Sequence, residues 1–407
     1  MIEKKSHDRK FDDMNFSEAT ELLYTGSPMD GCTLTPEAAP LFLTTAFTMG
    51  DLADVQNTYD QKGYTYIRTR NPNRQSLAEA ISFLEKGRHS LIFSSGMGAI
   101  TTTYFSLLKH GDHFLANQNI YGETFDAINS LLVQFGVDVE YADFTNLDAV
   151  RRSLRPNTRM LYTEVVSNPT DRLADIESLA AIAHSDKALL MVDNTFTTPV
   201  AIKPLTLGAD IVINSLTKFI NGHSDALAGS ITLQCEKLFQ QIHTIRMLTG
   251  TSAAPHSAWL VSRGLSTLDL RVKKQMSSAT ALAQALEAHP AVLRVNHPSL
   301  KSHPEHALAR RMFRDLDSCT GMLSFEMPND KEKINAFMNR LHLAHYAPTL
   351  GGVRTTLSHP LHSSHHHVPQ EELHLMGISY GLMRVSVGVE DAADLIADFH
   401  QALNVFF

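Results

Sequence analysis

The stretch Ile211-Val212-Ile213-Asn214-Ser215-Leu216-Thr217-Lys218-Phe219-Ile220-Asn221-Gly222-His223 decides the reading of this chain. Its β-branched apolar start predicts a buried strand. The strand ends in small hydroxyl residues, and a lysine follows at once. Such a strand lifts Lys218 to the lip of a pocket with Ser215 and Thr217 beside it. An amine in an apolar pocket has a lowered pKa and forms a Schiff base with an aldehyde, while the hydroxyls suit a phosphate. Aldehyde and phosphate on one molecule describe pyridoxal phosphate, which also needs an acidic partner for its ring nitrogen. A strand followed by a surface lysine is the plainer reading, and the stretch alone leaves both open.

Working outward, strands and helices alternate. Leu91-Ile92-Phe93, His113–Ala116, Val137–Tyr141, Met160–Tyr162 and Ala188–Val192 read as strands alongside Ile211–Ile213. Helical spacing of apolar residues marks Leu77, Ile81 and Leu84, then Ile100 to Leu108, Ile128 to Phe135 and Leu147 to Leu154. This alternation predicts an α/β fold: a mostly parallel sheet with helices on both faces and its ligand at the carboxyl ends of the strands. Three candidate loops lie there: Glu164 to Thr170, Asp193 to Phe196, and Ser215 to Lys218. Ser94-Ser95-Gly96-Met97-Gly98, between a strand and a helix, reads as a phosphate cradle of free backbone N–H groups. One long helical stretch, about 256–286, leads into a smaller C-terminal α+β part. The expected division is an extended N-terminal segment 1–65, a large domain 66–270 and a small domain 271–407.

The 407 residues carry a formal charge of −8 and no basic block, which argues against nucleic acid as a partner. Cys32, Cys235 and Cys319 form neither a CxxC pair nor a disulfide framework. The start of the chain has no apolar signal core, and no apolar run approaches the roughly 20 residues that span a bilayer. The expectation is a cytoplasmic protein with no membrane partner.

Two further residues complete a constellation. Asp193 ends an apolar strand and suits a pyridine nitrogen; a helix N-cap is the alternative. Arg384, inside the strand pattern Leu382 to Val387, suits a substrate carboxylate taken bidentately. With these, the chain resembles the cysteine/methionine-metabolism family of pyridoxal-phosphate enzymes over about residues 35–400. The resemblance rests on Tyr66-Ile67-Arg68 with Asn71-Pro72, Ser94-Ser95-Gly96-Met97, Tyr121-Gly122, Ser167-Asn168-Pro169 and Val192-Asp193-Asn194-Thr195. It continues through Ser215-Leu216-Thr217-Lys218, Asn221-Gly222-His223, Thr349-Leu350-Gly351-Gly352-Val353 and Leu382-Met383-Arg384-Val385-Ser386-Val387-Gly388.

The resemblance implies a fold type I enzyme with a seven-stranded sheet. In it Lys218 is the Schiff-base lysine, Asp193 meets the ring nitrogen, and Gly96, Met97, Ser215 and Thr217 hold the phosphate. Tyr66 and Arg68 are expected to reach the phosphate of a neighbouring subunit in a homotetramer. Tyr121 stacks on the ring and serves as an acid, Asn168 lies near the ring oxygen and substrate carboxylate, and Arg384 with the Thr349 region clamps that carboxylate. The implied activity is γ-elimination from an amino acid bearing a γ-heteroatom, with γ-replacement as the alternative.

The sequence also departs from the family pattern. Arg354 stands where a glutamate often meets a distal ammonium, so it is expected to accept a distal carboxylate or a neutral group, or to pair at the pocket rim. Glu123 stands where methionine γ-lyases commonly carry cysteine. Asn73 replaces a usual threonine and is expected to change only a loop hydrogen bond, and Tyr24-Thr25-Gly26 replaces His-Ala-Gly. The cluster His359, His362, His365, His366 and His367 is read as solvent-facing or interfacial and not as a metal site, with His359 a candidate for touching substrate. His342 and His345 read as the surface of a helix.

Overall fold

The computed structural model describes residues 16–25, 36–60, 63–363, 373 and 376–407. Two short helices, α1 (Glu18–Leu22) and α2 (Leu52–Asp60), lie in the N-terminal segment expected to run extended. Between them the stretch from Pro36 to Phe47 is indeed non-helical, and Ala46 bridges Tyr66. Asn73 anchors it: its side chain donates to the Pro40 carbonyl (2.7 Å) and accepts from the Phe42 N–H (2.9 Å).

The large sheet starts after α3 (Pro72–Glu85). In chain order it comprises β1 (His89–Phe93), α4 (Gly96–Leu107), β2 (His113–Asn117), α5 (Gly122–Ala127), β3 (Asp138–Ala142), α6 (Leu147–Ser153) and β4 (Thr158–Glu164). Then follow α7 (Ile176–Ser185), β5 (Leu189–Asp193), α8 (Thr198–Ala201), β6 (Ile211–Asn214), β7 (Gly229–Leu233) and α9 (Glu236–Thr249). The seven strands run in the order β1-β7-β6-β5-β4-β2-β3. Strands β3, β2, β4, β5 and β6 are mutually parallel, and β7 is antiparallel to both neighbours, β1 and β6.

Strand parity explains the apolar runs. Leu115, Leu161, Leu190 and Val212 pack on one face with Leu77 and Ile81 of α3 and Leu179 of α7. Phe114, Met160, Met191, Ile211 and Ile213 pack on the other with Ile100 and Tyr104 of α4 and Ile242 of α9. Both faces are covered, so alternate positions are all apolar and the strands read as continuous hydrophobic runs.

Three readings need correction. β7 was not expected: Ser-Ile-Thr-Leu is short and half polar. The stretch 256–286 is two helices, α10 (Pro255–Leu265) and α11 (Leu268–Glu287), parted at Ser266-Thr267. His342 and His345 are not on a helix. His342 lies in a turn where its N–H donates to Asp398 Oδ1 (2.9 Å), and His345 starts a short strand.

Beyond α11 a smaller sheet assembles from β8 (Arg294–Asn296), β9 (Met322–Glu326), β10 (His345–Tyr346), β11 (Thr356–Ser358) and β12 (Leu382–Ser386), in the order β10-β11-β12-β9-β8. Helices α12 (His306–Met312), α13 (Lys331–Arg340) and α14 (Ala392–Leu403) accompany it. Leu323, Phe325, Val385 and Phe399 share its core. Among the described residues no helix is long and apolar enough to cross a membrane.

One buried carboxylate fastens the strand ends that carry the site. Glu85 closes α3, is fully buried, and through Oε1 accepts from Asn194 Nδ2 (3.0 Å) after β5 and Asn214 Nδ2 (2.7 Å) on β6. Burial pushes its pKa up to about 7, against the two amide hydrogen bonds. The folded chain therefore keeps a proton that the unfolded chain releases above about pH 4.5, so stability falls as pH rises through the interval up to about 7. Glu85→Gln is expected to reduce that fall and to be more stable than the parent at pH 8 by about 3 kcal/mol. Urea unfolding at pH 5 and pH 8 checks this; an identical pH dependence in both proteins would refute it.

Candidate active site

β6 delivers Lys218 as the sequence requires, because three hydrogen bonds from backbone N–H groups hold the turn after it. The Ser215 N–H donates to Thr195 Oγ1 (2.8 Å), the Thr217 N–H to the Ala228 carbonyl (3.2 Å), and the Lys218 N–H back to the Ser215 carbonyl (3.2 Å). The Lys218 side chain is half-buried and has no ion pair among the described residues. Burial, followed by the positive charge of Arg384, lowers its pKa to about 8, with Glu123 opposing. Half of these amines are therefore neutral near pH 8.

The cradle lies alongside. Ser95 caps α4 by accepting the Gly98 N–H (2.9 Å), and Gly96 and Met97 open the helix with N–H groups that have no partner inside it. Close packing requires the glycines. A Cβ on Gly96 would sit 3.0 Å from the Ser215 Cβ, and one on Gly229 only 2.2 Å from the Ser95 carbonyl oxygen. β7 thus passes against the cradle and presses it onto the Ser215 turn. Thr124 Oγ1 donates to the Met97 sulfur at 3.8 Å.

Two carboxylates end neighbouring parallel strands: Glu164 of β4 is registered with Asp193 of β5. Asp193 Oδ1 accepts the Thr195 N–H (2.8 Å). Glu164 accepts the Tyr121 N–H on Oε1 (2.7 Å) and the Asn168 N–H on Oε2 (3.1 Å). Burial holds both carboxyls above the usual carboxylate range, and the charge of Asp193 raises Glu164 further. Neither has an ion-pair partner among the described residues, so a cation at the strand ends would relieve both. The sequence places Glu164 only in a ligand-facing loop, and the structure adds its fastening of Tyr121 and Asn168. Tyr121 stands just before α5, half-buried, its phenol pushed up to about 12 by burial and then by Glu123.

The smaller sheet supplies the opposite wall. Arg384 on β12 is 5% exposed, donates from Nη1 to Asn168 Oδ1 (3.1 Å) and from Nη2 to the Thr349 carbonyl (3.2 Å), and keeps its buried Nε without a partner. Burial lowers its pKa to about 10. Gly351, at φ +77°, seats this wall on the lysine turn: a Cβ there would come within 2.3 Å of the Phe219 nitrogen. Asp171 is fully buried, its carboxyl raised well above normal by burial and opposed by Arg384. Sequence reading missed it, although an acid three residues after Asn168 is an available signal.

Lys218, Ser215, Thr217, Gly96, Met97, Asp193, Tyr121, Asn168, Thr349 and Arg384 are linked by these contacts into one site. Tyr66 and Arg68 stand apart from it. Tyr66 is exposed; Arg68 is also exposed, donates to the Met247 carbonyl (2.7 Å) and lies 5.8 Å from the Tyr66 ring centroid. Arg354 and Glu123 are exposed. His359 is not turned outward: it is 5% exposed, with Nε2 on the Tyr380 carbonyl (2.7 Å) and Nδ1 3.0 Å from His362 Nδ1. His365, His366 and His367 lie outside the described residues.

The residues present fit pyridoxal phosphate. A half-buried amine of lowered pKa, a glycine-lined helix start, an acid pair lacking a cation and an arginine with an unpartnered Nε each match one part of the cofactor or of an amino-acid substrate. Comparison with known proteins agrees. The family described as Cys/Met metabolism PLP-dependent enzyme matches residues 19–404. The chain is 37% identical over 372 residues to the L-methionine gamma-lyase of Fusobacterium nucleatum subsp. polymorphum, covering 90% of this chain and 93% of that one. It is 40% identical over 350 residues to the cystathionine beta-lyase MetC of Bacillus subtilis (strain 168), covering 86% and 88%. The crystal structure of cystathionine gamma synthase from Xanthomonas oryzae pv. oryzae, in complex with aminoacrylate and cysteine, superposes with a TM-score of 0.91 at 33% identity, covering 96% of this chain and 98% of that one. The chain belongs to the Cys/Met-metabolism family of pyridoxal-phosphate-dependent enzymes.

Proposed function

We propose that this enzyme is a γ-elimination lyase, which expels a heteroatom group from the γ-carbon of an L-amino acid and yields a 2-oxo acid and ammonia. The Lys218 amine, half-buried and brought by burial to about 8, carries the cofactor chemistry, and the likeness to an L-methionine gamma-lyase and to a cystathionine lyase favours elimination. Gly96, Met97, Ser215 and Thr217 would hold the phosphate of pyridoxal phosphate, Lys218 would take its aldehyde, Asp193 would balance its ring nitrogen, and Tyr121 and Asn168 would lie beside its ring. When bound, this group supplies an electron-accepting ring that makes the protons on the amino acid's α- and β-carbons acidic.

The chain's own residues do the rest. Arg384, steadied by Asn168 and the Thr349 carbonyl, takes the substrate carboxylate with its remaining donors. Lys218 Nζ, a free base in half its copies near pH 8, removes the α-proton and carries protons between carbons. Tyr121 keeps its phenolic proton up to about pH 12 and so has one to give the departing heteroatom. Arg354 at the mouth suits a distal carboxylate or a neutral group.

Exposed Tyr66 and Arg68 reach the phosphate in a neighbouring copy, with the segment 1–65 lying across that copy. The assembly is then a homotetramer of two site-sharing dimers, at work in the cytoplasm. Residues 66–270 form the large domain and 271–407 the small one.

A γ-replacement transferase is the second reading, favoured by the likeness to a cystathionine gamma synthase, because every cofactor-holding residue serves both reactions. The purified enzyme offered L-methionine, L-homocysteine, L-cystathionine and O-acetyl-L-homoserine is expected to release 2-oxobutanoate and ammonia from at least one, at a rate that added thiol does not raise. Thioether formed only when thiol is present would instead establish replacement. Stripped of cofactor, the chain is expected to take up pyridoxal phosphate faster as pH rises, about tenfold per unit, levelling near pH 8, because only the neutral amine attacks an aldehyde. Visible absorbance follows this, and Lys218→Ala should develop no such band. A pH-independent uptake rate would sink the assignment.

A further inference from the structure

The groove between α3, the edge strand β1 and α9 holds a second cluster of guanidinium groups, apart from Lys218. A cavity of about 430 Å³ there is lined by Arg70, Arg74, Arg88, Arg246 and His243, with Glu79 the one carboxylate among its described lining residues. Arg246 is 4% exposed and spends its Nη atoms on neutral acceptors: the Ile92 carbonyl (3.1 Å), the Thr69 carbonyl (3.4 Å) and His243 Nδ1 (3.1 Å). Its Nε is buried without a partner. Arg74, 5% exposed, donates to the carbonyls of Ala253 (2.9 Å) and Ile67. Neither forms an ion pair among the described residues, and nor does Arg88, which is exposed on the cavity wall.

Carbonyls satisfy hydrogen bonds but leave the charges uncompensated. Burial, then the charges of Arg74 and Arg70, push the Arg246 pKa down to about 9, the direction expected of a buried cation beside others of its sign. Glu79 does not supply one: its Oε1 accepts from Gln75 Nε2 (3.1 Å), and it makes no ion pair among the described residues. A buried charge without a partner is costly, and an anion that brings its own charge removes the cost. Residues His89 to Ile92 of β1 line the groove, and the chain as a whole is acidic, so the fit is a small anion and not a polymer.

We infer that the groove between α3, β1 and α9 is a binding site for a compact oxyanion of the phosphate class, with Arg246 Nε and the Arg88 guanidinium as its donors. It flanks β1 at residues 89–92, short of the Ser94–Gly98 turn that serves the cofactor, so the two anion sites are separate.

The test is isothermal titration of inorganic phosphate into the cofactor-loaded enzyme, with chloride at matched ionic strength as the control. Saturable binding of one phosphate per chain is expected, weakened several-fold in Arg88→Ala and tenfold or more in Arg246→Gln, with kcat unchanged in Arg88→Ala. Should Arg246→Gln fail to fold, Arg88→Ala, at an exposed position, decides by itself. Heat no larger than the chloride control, affinity unchanged in Arg88→Ala, or phosphate displaced by saturating amino-acid substrate would each overturn the inference. So would a change of oligomeric state in Arg246→Gln without phosphate binding to the parent enzyme, which would assign the charges to a second copy.

Discussion

Arg271 donates from Nη1 to the Phe219 carbonyl (2.9 Å), and from Nη2 to those of Ile220 (3.2 Å) and Gly264 (2.8 Å). The first two carbonyls follow the lysine turn, where no strand is at hand to bond them, and the third belongs to the end of α10. A buried carbonyl left bare costs about 1–3 kcal/mol, and a charged donor is the stronger remedy. The fit is tight: Gly222, at φ +73°, lies where a Cβ would come within 1.8 Å of Arg271 Nη1, and a Cβ on Gly264 would approach the Asn221 carbonyl oxygen to 2.3 Å. Arg271 also sits near the start of α11, the helix that leads from the large sheet to the smaller one. The same residue therefore sets both the Lys218 turn and the start of the crossing that brings Arg384 over it.

The charges around the site are separated by the architecture. The ends of β4 and β5 bring two acids whose pKa values are raised, and the small sheet brings an arginine with a spare donor next to a depressed lysine. Each half is unfavourable alone. The first would be relieved by a cation and the second by an anion. Burial thus does two tasks: it excludes water from the site, and it keeps groups in the protonation states that exchange protons near neutral pH. Asp171, fully buried and within reach of the charge of Arg384, is a third buried acid of the site.

Much of this was legible in the chain. Six of the seven strands of the large sheet announce themselves through apolar residues, in continuous runs where helices cover both faces and in alternation in the edge strand β3. Lys218, Asp193 and Arg384 each sit at or within such a run, where a charged residue demands a reason. β7 escaped because polar Ser230 and Thr232, both fully buried, break its apolar run. Ser90 and Thr232 hydrogen-bond to each other at 2.8 Å across β1 and β7, a pairing that only the assembled sheet provides.

The sequence by itself determined the fold class and the family, since burial alternates with a local period and the motifs lie within a few residues of each strand end. The tertiary structure alone decided the roles of Glu85, Glu164, Asp171 and Arg271. Each is a buried charge whose meaning depends on its partner, and those partners lie far along the chain: 109 and 129 residues away for Glu85, 43 for Tyr121 on Glu164, 52 for Phe219 on Arg271. Local periodicity tells which side chains leave water; only folding tells what they meet there.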